Sequence, residues 1–230
     1  MPLPETTPTM PSETQPAPTG THANSRLRGA LEWIVVIVGA VIVALVIKTF
    51  LIQAFFIPTA SMEPTLVGEQ RSDGTQGEGD RILVDKVSYR FRDVSRGDVI
   101  VFENPDADQF DTVSGGSVGT APPADLVKRV IGLPGDTVVF VDGAVTVNGE
   151  PLDEPYLPDG TVTTPAGGTS TWPHTCTAGD PCTVPDDMVW VMGDNRDNSR
   201  DSRYMGPIAQ DAIVGRAFVT VWPLDRLGGL

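Results

Sequence analysis

Apolar positions along the chain fall into two regimes. From Trp33 to Ile47 the sequence reads WIVVIVGAVIVALVI, fifteen residues with no charged or strongly polar side chain; Lys48 then interrupts, and TFLIQAFFI carries apolar character on to Ile57. A helix crossing a bilayer needs roughly 20 such residues at about 1.5 Å each, and a lysine at the boundary can extend its stem along the apolar zone. The pattern predicts one transmembrane helix over about residues 31–52. A cleaved signal peptide is the rival reading. The run is longer than an ordinary signal-peptide core, starts far from the N-terminus and is not followed by an A-x-A-like site, so a retained span is expected. Residues 1–25 are rich in Pro and Thr without apolar periodicity and read as a disordered tail.

Beyond the span the pattern changes to short Val/Ile/Phe runs. DRILVDKVSYRF, GDVIVF, DTVVFVDGAVTVNG, DMVWVMGD and AIVGRAFVTVWPL are each bounded by Gly, Asp or Pro, the pattern of strands. Asp142-Gly143 and Asn148-Gly149 are hairpin signals, because both pairs tolerate the positive φ of tight turns. Two polar, turn-rich stretches at about 103–125 and 154–187 read as inserted surface loops or a small cap. No helical pattern of comparable length follows the span. The expected organisation is a cytoplasmic tail (1–25), a membrane anchor (26–56) and a mainly β domain (57–230).

Composition refines this. The chain carries 30 acidic against 16 basic residues, a formal net charge of -14, which argues against a nucleic-acid partner. With 24 glycines and 21 prolines it leans to a turn-rich β architecture. Arg26 and Arg28 before the span favour a cytoplasmic N-terminus, placing the β domain outside. In CTAGDPC a Gly-Asp-Pro turn separates Cys176 from Cys182, which fits a small disulfide loop in an oxidising compartment. Two unpaired thiols are the alternative, and a metal site lacks further ligands.

Candidate chemistry centres on FFIPTASMEPTL, residues 55–66, where a serine sits between two prolines directly after the apolar run. A serine nucleophile needs a base, histidine or neutral lysine. Of the two histidines, His22 lies in the tail and His174 in a loop beside the cysteines. Gly115-Gly116-Ser117-Val118-Gly119 matches G-x-S-x-G, but no helix follows as a nucleophile elbow requires. No S-x-x-K occurs. Among the three lysines, Lys48 is a boundary anchor and Lys86 lies among charged neighbours; Lys128, in DLVKRVIGLPGD, has apolar neighbours. If buried, its amine would lose charge towards neutral pH and become a usable base; a solvated lysine on a half-buried strand is the plain alternative. The run MGDNRDNSRDSRYMGP, residues 192–207, alternates Asp with Arg. It is either a solvated loop or a buried hydrogen-bonded network, and it lacks the central glycine of an EF-hand loop.

Taken together, IPTASMEPTL, RGDVIVF, VKRVIGLPGD and VMGDNRDNSRDSRYMG, in this order, resemble the sequence boxes of bacterial type I signal peptidases over roughly residues 33–222. That family consists of membrane-anchored, β-rich Ser/Lys endopeptidases that need no metal or cofactor. The resemblance implies Ser61 as nucleophile and Lys128 as general base. It implies Ser199 as a hydroxyl that hydrogen-bonds and orients the lysine, and Thr59 as an oxyanion donor where the family usually has serine. Asp201 and Arg203, and with them Arg129, Asp194 and Arg196, would support the site structurally. The cleaved segment would lie extended beside Ile57, Pro58, Met62 and Val127, in shallow pockets for small side chains. The implied partners are preproteins bearing signal peptides and the lipid bilayer, with a monomer expected. Three other classes stay in view: an anchored binding domain, a soluble self-cleaving Ser/Lys regulator with a DNA-binding segment, and an inactive relative.

Overall fold

The computed structural model describes residues 22–46, 51–105, 124–165 and 179–230. These form two compact units, one ending at Leu45 and one running from Val46 to Leu230. The first holds helix α1, His22–Val46, all but its last residue. Its described side chains, residues 32–45, are all exposed. Among the described residues no helix is long and apolar enough to cross a membrane; the apolar run continues into residues 47–50, outside the described set. The helix begins at His22, inside the stretch read as a disordered tail, and residues 1–21 also lie outside the described set.

The second unit is mainly β. One sheet runs β1 (Ile52–Phe56), β2 (Arg81–Asp85), β11 (Ile213–Trp222), β3 (Val99–Glu103), β4 (Asp125–Gly132), β9 (Met188–Met192) and β10 (Ile208–Ala209), with β12 (Gly228–Gly229) beside β11. A smaller sheet runs β7 (Glu150–Pro151), β6 (Ala144–Val147), β5 (Thr137–Val141) and β8 (Cys182–Thr183). Every pairing is antiparallel. One short helix, α2 (Ser202–Met205), follows β9.

Alternation along the strands decides what each face buries. In β3, Val99 and Val101 join one core cluster with Ile57, Met62, Leu66 and Ile82, while Ile100 and Phe102 join another with Val130, Val189 and Val191. A strand buried on both faces has to be apolar throughout, which is why GDVIVF shows no polar alternation. In β9 the opposite residues, Trp190 and Met192, pack with Val138, Phe140 and Val145 of the small sheet and with Ile131 of β4. Both hairpin turns form as read: Asp142 and Gly143 adopt φ of 50° and 80°, and Asn148 and Gly149 adopt 55° and 84°.

Three boundaries differ from the expected ones. The anchor was expected to extend to residue 56, yet Ile52–Phe56 is an edge strand paired with Arg81–Asp85. Apolar character that resumes after Lys48 cannot reveal where a helix gives way to an edge strand, since either element can carry it. The first insertion is shorter than 103–125, because Glu103 and Asp125 are themselves a strand pair; residues 106–123 lie outside the described set. The second, 154–187, is more than a surface loop where it is described. Thr163, Cys182 and Val184 are buried, and Cys182 pairs with Val138 across β8 and β5. Residues 166–178 lie outside the described set.

Candidate active site

Three segments far apart in sequence meet beside a groove. The first, just after β1, is a 3-10 turn over Ala60–Met62 that carries Ser61. Ala60 and Met62 point into the core and are buried, so the intervening Ser61 is left half-exposed. The second is β4, which carries Lys128 and Arg129. The third is the polar loop from Gly193 to Asp201, which runs from β9 to α2.

Lys128 Nζ donates to Ser61 Oγ at 2.6 Å and to the Val127 carbonyl at 2.9 Å. The lysine side chain is only 2% exposed. Burial pushes its pKa down from 10.5 to about 8, because the charged form loses its hydration; Asp201 and Asp194 pull upward and Arg203 downward. Both carboxylates are spoken for, which limits their hold on the lysine. Asp194 binds Arg129 through two contacts, at 2.9 and 2.7 Å. Asp201 binds Arg203 at 2.8 and 2.9 Å and accepts from the Gly193 N–H at 3.0 Å.

The Asp/Arg run is thus a buried network rather than a solvated loop. Arg129, Asp194, Arg196, Asp201 and Arg203 are all buried. Arg196 Nε donates to the Gly193 carbonyl at 3.1 Å, and its terminal nitrogens reach Thr163 Oγ1 at 2.6 Å and the Glu154 carboxylate. The Arg129 guanidinium lies over the Tyr156 ring, 3.9 Å from its centre. The second insertion therefore braces the site, a role its polar composition did not announce. Position 193 has to be glycine, because a Cβ there would collide with the Ser61 carbonyl oxygen and the Ser199 hydroxyl.

The groove, about 220 Å³, has residues 55–59, Ser61 and Met62 on one wall and residues 124–128 on the other. Ile57, Pro58, Met62 and Val127, expected in the cleft, all line it, as does Thr59. Thr59 is exposed, with extended backbone at φ -122°, and its side chain makes no capping bond to the turn.

Ser199 departs from expectation. It is buried, but its hydroxyl makes no hydrogen bond, and Lys128 Nζ donates to Ser61 and Val127 instead. The Ser199 side chain packs closely against Gly193. Cys182 is disulfide-bonded; Cys176, His174, Lys48 and the G-x-S-x-G stretch 115–119 lie outside the described residues. Lys86 Nζ donates to Gln53 Oε1 at 3.2 Å, on an exposed surface. Among the described residues no group of three or more His, Cys, Asp or Glu could hold a metal ion.

Sequence reading passed over Asn195. It lies inside the polar run, between two residues assigned supporting roles, yet it contacts the Ser61 turn directly. Its amide donors are invisible in a pattern of alternating charge.

Known proteins agree on one family. Residues 30–222 match the model described as "Signal peptidase, peptidase S26". A probable signal peptidase I-2 from Synechocystis sp. is 40% identical over 191 residues, covering 83% of this chain and 72% of its own. The signal peptidase I of Leptolyngbya laminosa is 38% identical over 232 residues, 100% of this chain and 94% of its own. That of Mycobacterium tuberculosis is 39% identical over 225 residues, 86% of this chain and 74% of its own. With a matching model over most of its length and relatives near 40% identity along it, this chain belongs to the signal peptidase family, peptidase S26.

Proposed function

We propose that this protein is a membrane-bound endopeptidase that removes N-terminal signal peptides from exported preproteins, cutting after a small-x-small sequence with a Ser61/Lys128 dyad. The observation that carries the reading is the 2.6 Å contact between Ser61 Oγ and a buried lysine at the edge of a groove.

Loss of a proton leaves the Lys128 amine with a lone pair, and the hydrogen bond reverses so that the Ser61 hydroxyl donates to Nζ. As Oγ attacks the scissile carbonyl, Nζ takes the hydroxyl proton. The Ser61 backbone N–H and the Thr59 hydroxyl stabilise the oxyanion. Collapse of the tetrahedral species breaks the peptide bond; the leaving amine takes the proton from Lys128 and departs as the new N-terminus of the mature protein. Water, deprotonated by the again neutral Lys128, attacks the Ser61 ester, releases the signal peptide and restores the hydroxyl. Neither half-reaction needs a metal or cofactor. Rotation of the Ser199 hydroxyl towards Nζ would give the amine a further partner during this cycle.

The substrate lies extended between residues 57–59 and 125–128, with small side chains against Ile57, Met62 and Val127. The apolar run that begins within α1 serves as a single membrane anchor, its N-terminus cytoplasmic and the β domain on the outer face. All-round exposure of Trp33, Ile34, Val36, Ile37 and Leu45 is unfavourable in water and favourable in lipid. The protein works as a monomer, and Cys176 closes the disulfide to Cys182.

Purified protein in detergent cleaves a preprotein at its small-x-small site, and Ser61→Ala and Lys128→Ala each abolish cleavage. Wild-type rates in either single variant would disprove the dyad.

A further inference from the structure

Asn195 makes two hydrogen bonds to the turn that carries Ser61 and a third to Ser72. Its backbone N–H donates to the Ser61 carbonyl at 3.1 Å. Its side-chain Nδ2 donates to the Ala60 carbonyl at 3.0 Å and to Ser72 Oγ at 2.7 Å. The carbonyl can only accept, so the amide nitrogen has to face it, and the flip of Asn195 is fixed. The Ala60 carbonyl also accepts from Glu63 N–H at 3.1 Å.

A peptide unit is planar and trans, so the Ala60 C=O and the Ser61 N–H point in opposite directions. Whatever holds that oxygen aims that N–H. Asn195 thus grips the peptide planes on both sides of Ser61, one through its side chain and one through its backbone. The grip is itself anchored. Ser72, which accepts from Nδ2, donates its hydroxyl to the Glu63 carboxylate, and its N–H reaches the same carboxylate at 3.2 Å. Ser72 belongs to a ribbon of chain whose Glu69 and Gln70 N–H groups bind the carbonyls of Ile57 and Pro58 at 3.0 and 3.1 Å. The loop after β9 and this ribbon therefore close on the groove wall from two directions.

We infer that Asn195 is a positioning residue that aims the Ser61 N–H at the oxyanion, with Ser72 holding the Asn195 amide in place. The inference rests on the proposed reading of Ser61 as nucleophile. It differs from a purely structural role in one respect: the loss falls on the transition state and not on ground-state binding.

The test uses the full-length protein in detergent. Asn195→Asp keeps the shape but sets an oxygen against the Ala60 carbonyl. Its kcat falls about a hundredfold, the scale for loss of an oxyanion donor, with KM within about twofold. A peptide aldehyde with a small-x-small sequence, whose hemiacetal oxygen takes the oxyanion position, loses affinity by a similar factor, while the matching peptide amide binds as before. Ser72→Ala, at an exposed position that leaves the fold intact, lowers kcat about threefold, the effect of one net hydrogen bond. It adds nothing on the Asn195→Asp background. Wild-type kcat in Asn195→Asp, or equal loss of aldehyde and amide affinity, overturns the inference. If Asn195→Asp does not fold, an unchanged aldehyde-to-amide preference in Ser72→Ala overturns it. Ser61→Ala run alongside separates the two readings: residual cleavage there sinks the nucleophile, whereas an inert Ser61→Ala beside a fully active Asn195→Asp sinks only the positioning role.

Discussion

An amine can take a proton from serine only while it is unprotonated, and the burial of Lys128 brings that condition near neutral pH. With its pKa at about 8, kcat/KM should climb roughly tenfold per pH unit below 8 and level off above it. A profile with no inflection between pH 7 and 9 would remove Lys128 from the role of base. The same shift affects stability with a definite sign. The folded pKa lies below the ordinary value of 10.5, so the cost of the buried charge is fully present below about pH 8. It shrinks as pH rises from 8 towards 10.5 and is gone above that. At about 1.4 kcal/mol per unit it is on the order of 3 kcal/mol. Denaturant unfolding should show the wild type gaining on Lys128→Met across that window and not below it. The lysine's neighbours in sequence suggested burial; its 2% exposure is set by the turn and loop packed around it.

The elements of the site are joined by ion pairs that the sequence listed without matching. Arg129 on β4 and Asp194 after β9 form a buried two-contact pair. Cutting it one-sidedly strands a guanidinium without its counterion, which costs about 3–5 kcal/mol. Asp194→Ala should therefore destabilise the β unit by that amount in urea titration. The double replacement of Arg129 by Met and Asp194 by Leu should recover most of it. If the single and double variants were equally unstable, the pair would be a bystander. Alternating Asp and Arg in residues 194–203 allowed several pairings within the run. In the structure Asp201 and Arg203 do pair with each other, but Asp194 takes Arg129 and Arg196 takes Glu154. Long-range choices of this kind depend on which backbone each loop meets, and local sequence cannot state them. The hairpins were legible because Asp142-Gly143 and Asn148-Gly149 encode their turns within two residues.

At the scale of the whole molecule, an acidic β unit follows an apolar helix, and the proposed anchor has a direct check. The full chain should stay in the membrane fraction after an alkaline carbonate wash and leave it only with detergent. Release by carbonate would make the attachment peripheral and remove the proposed span. The groove begins at the end of β1 and is walled by β4, so the chain leaves its apolar run and enters the candidate site within a few residues. This nearness was visible in the order of the sequence. The conversion of residues 52–56 into a strand was not, because apolar side chains serve an edge strand and a bilayer equally.

The β character, the two tight hairpins, the apolar run and the residues that resemble a Ser/Lys peptidase were all legible in the chain. Each of these is encoded locally, in side-chain period, in turn residues or in short motifs. It took folding to show that Lys128 is buried and 2.6 Å from Ser61, that the second insertion braces Arg196 and Arg129, and that Asn195 grips the peptide planes around Ser61. The reason is the same in all three cases. A desolvated charge, a paired guanidinium and an aimed peptide plane are properties of what surrounds a residue, and those surroundings come from segments separated by up to 135 positions along the chain.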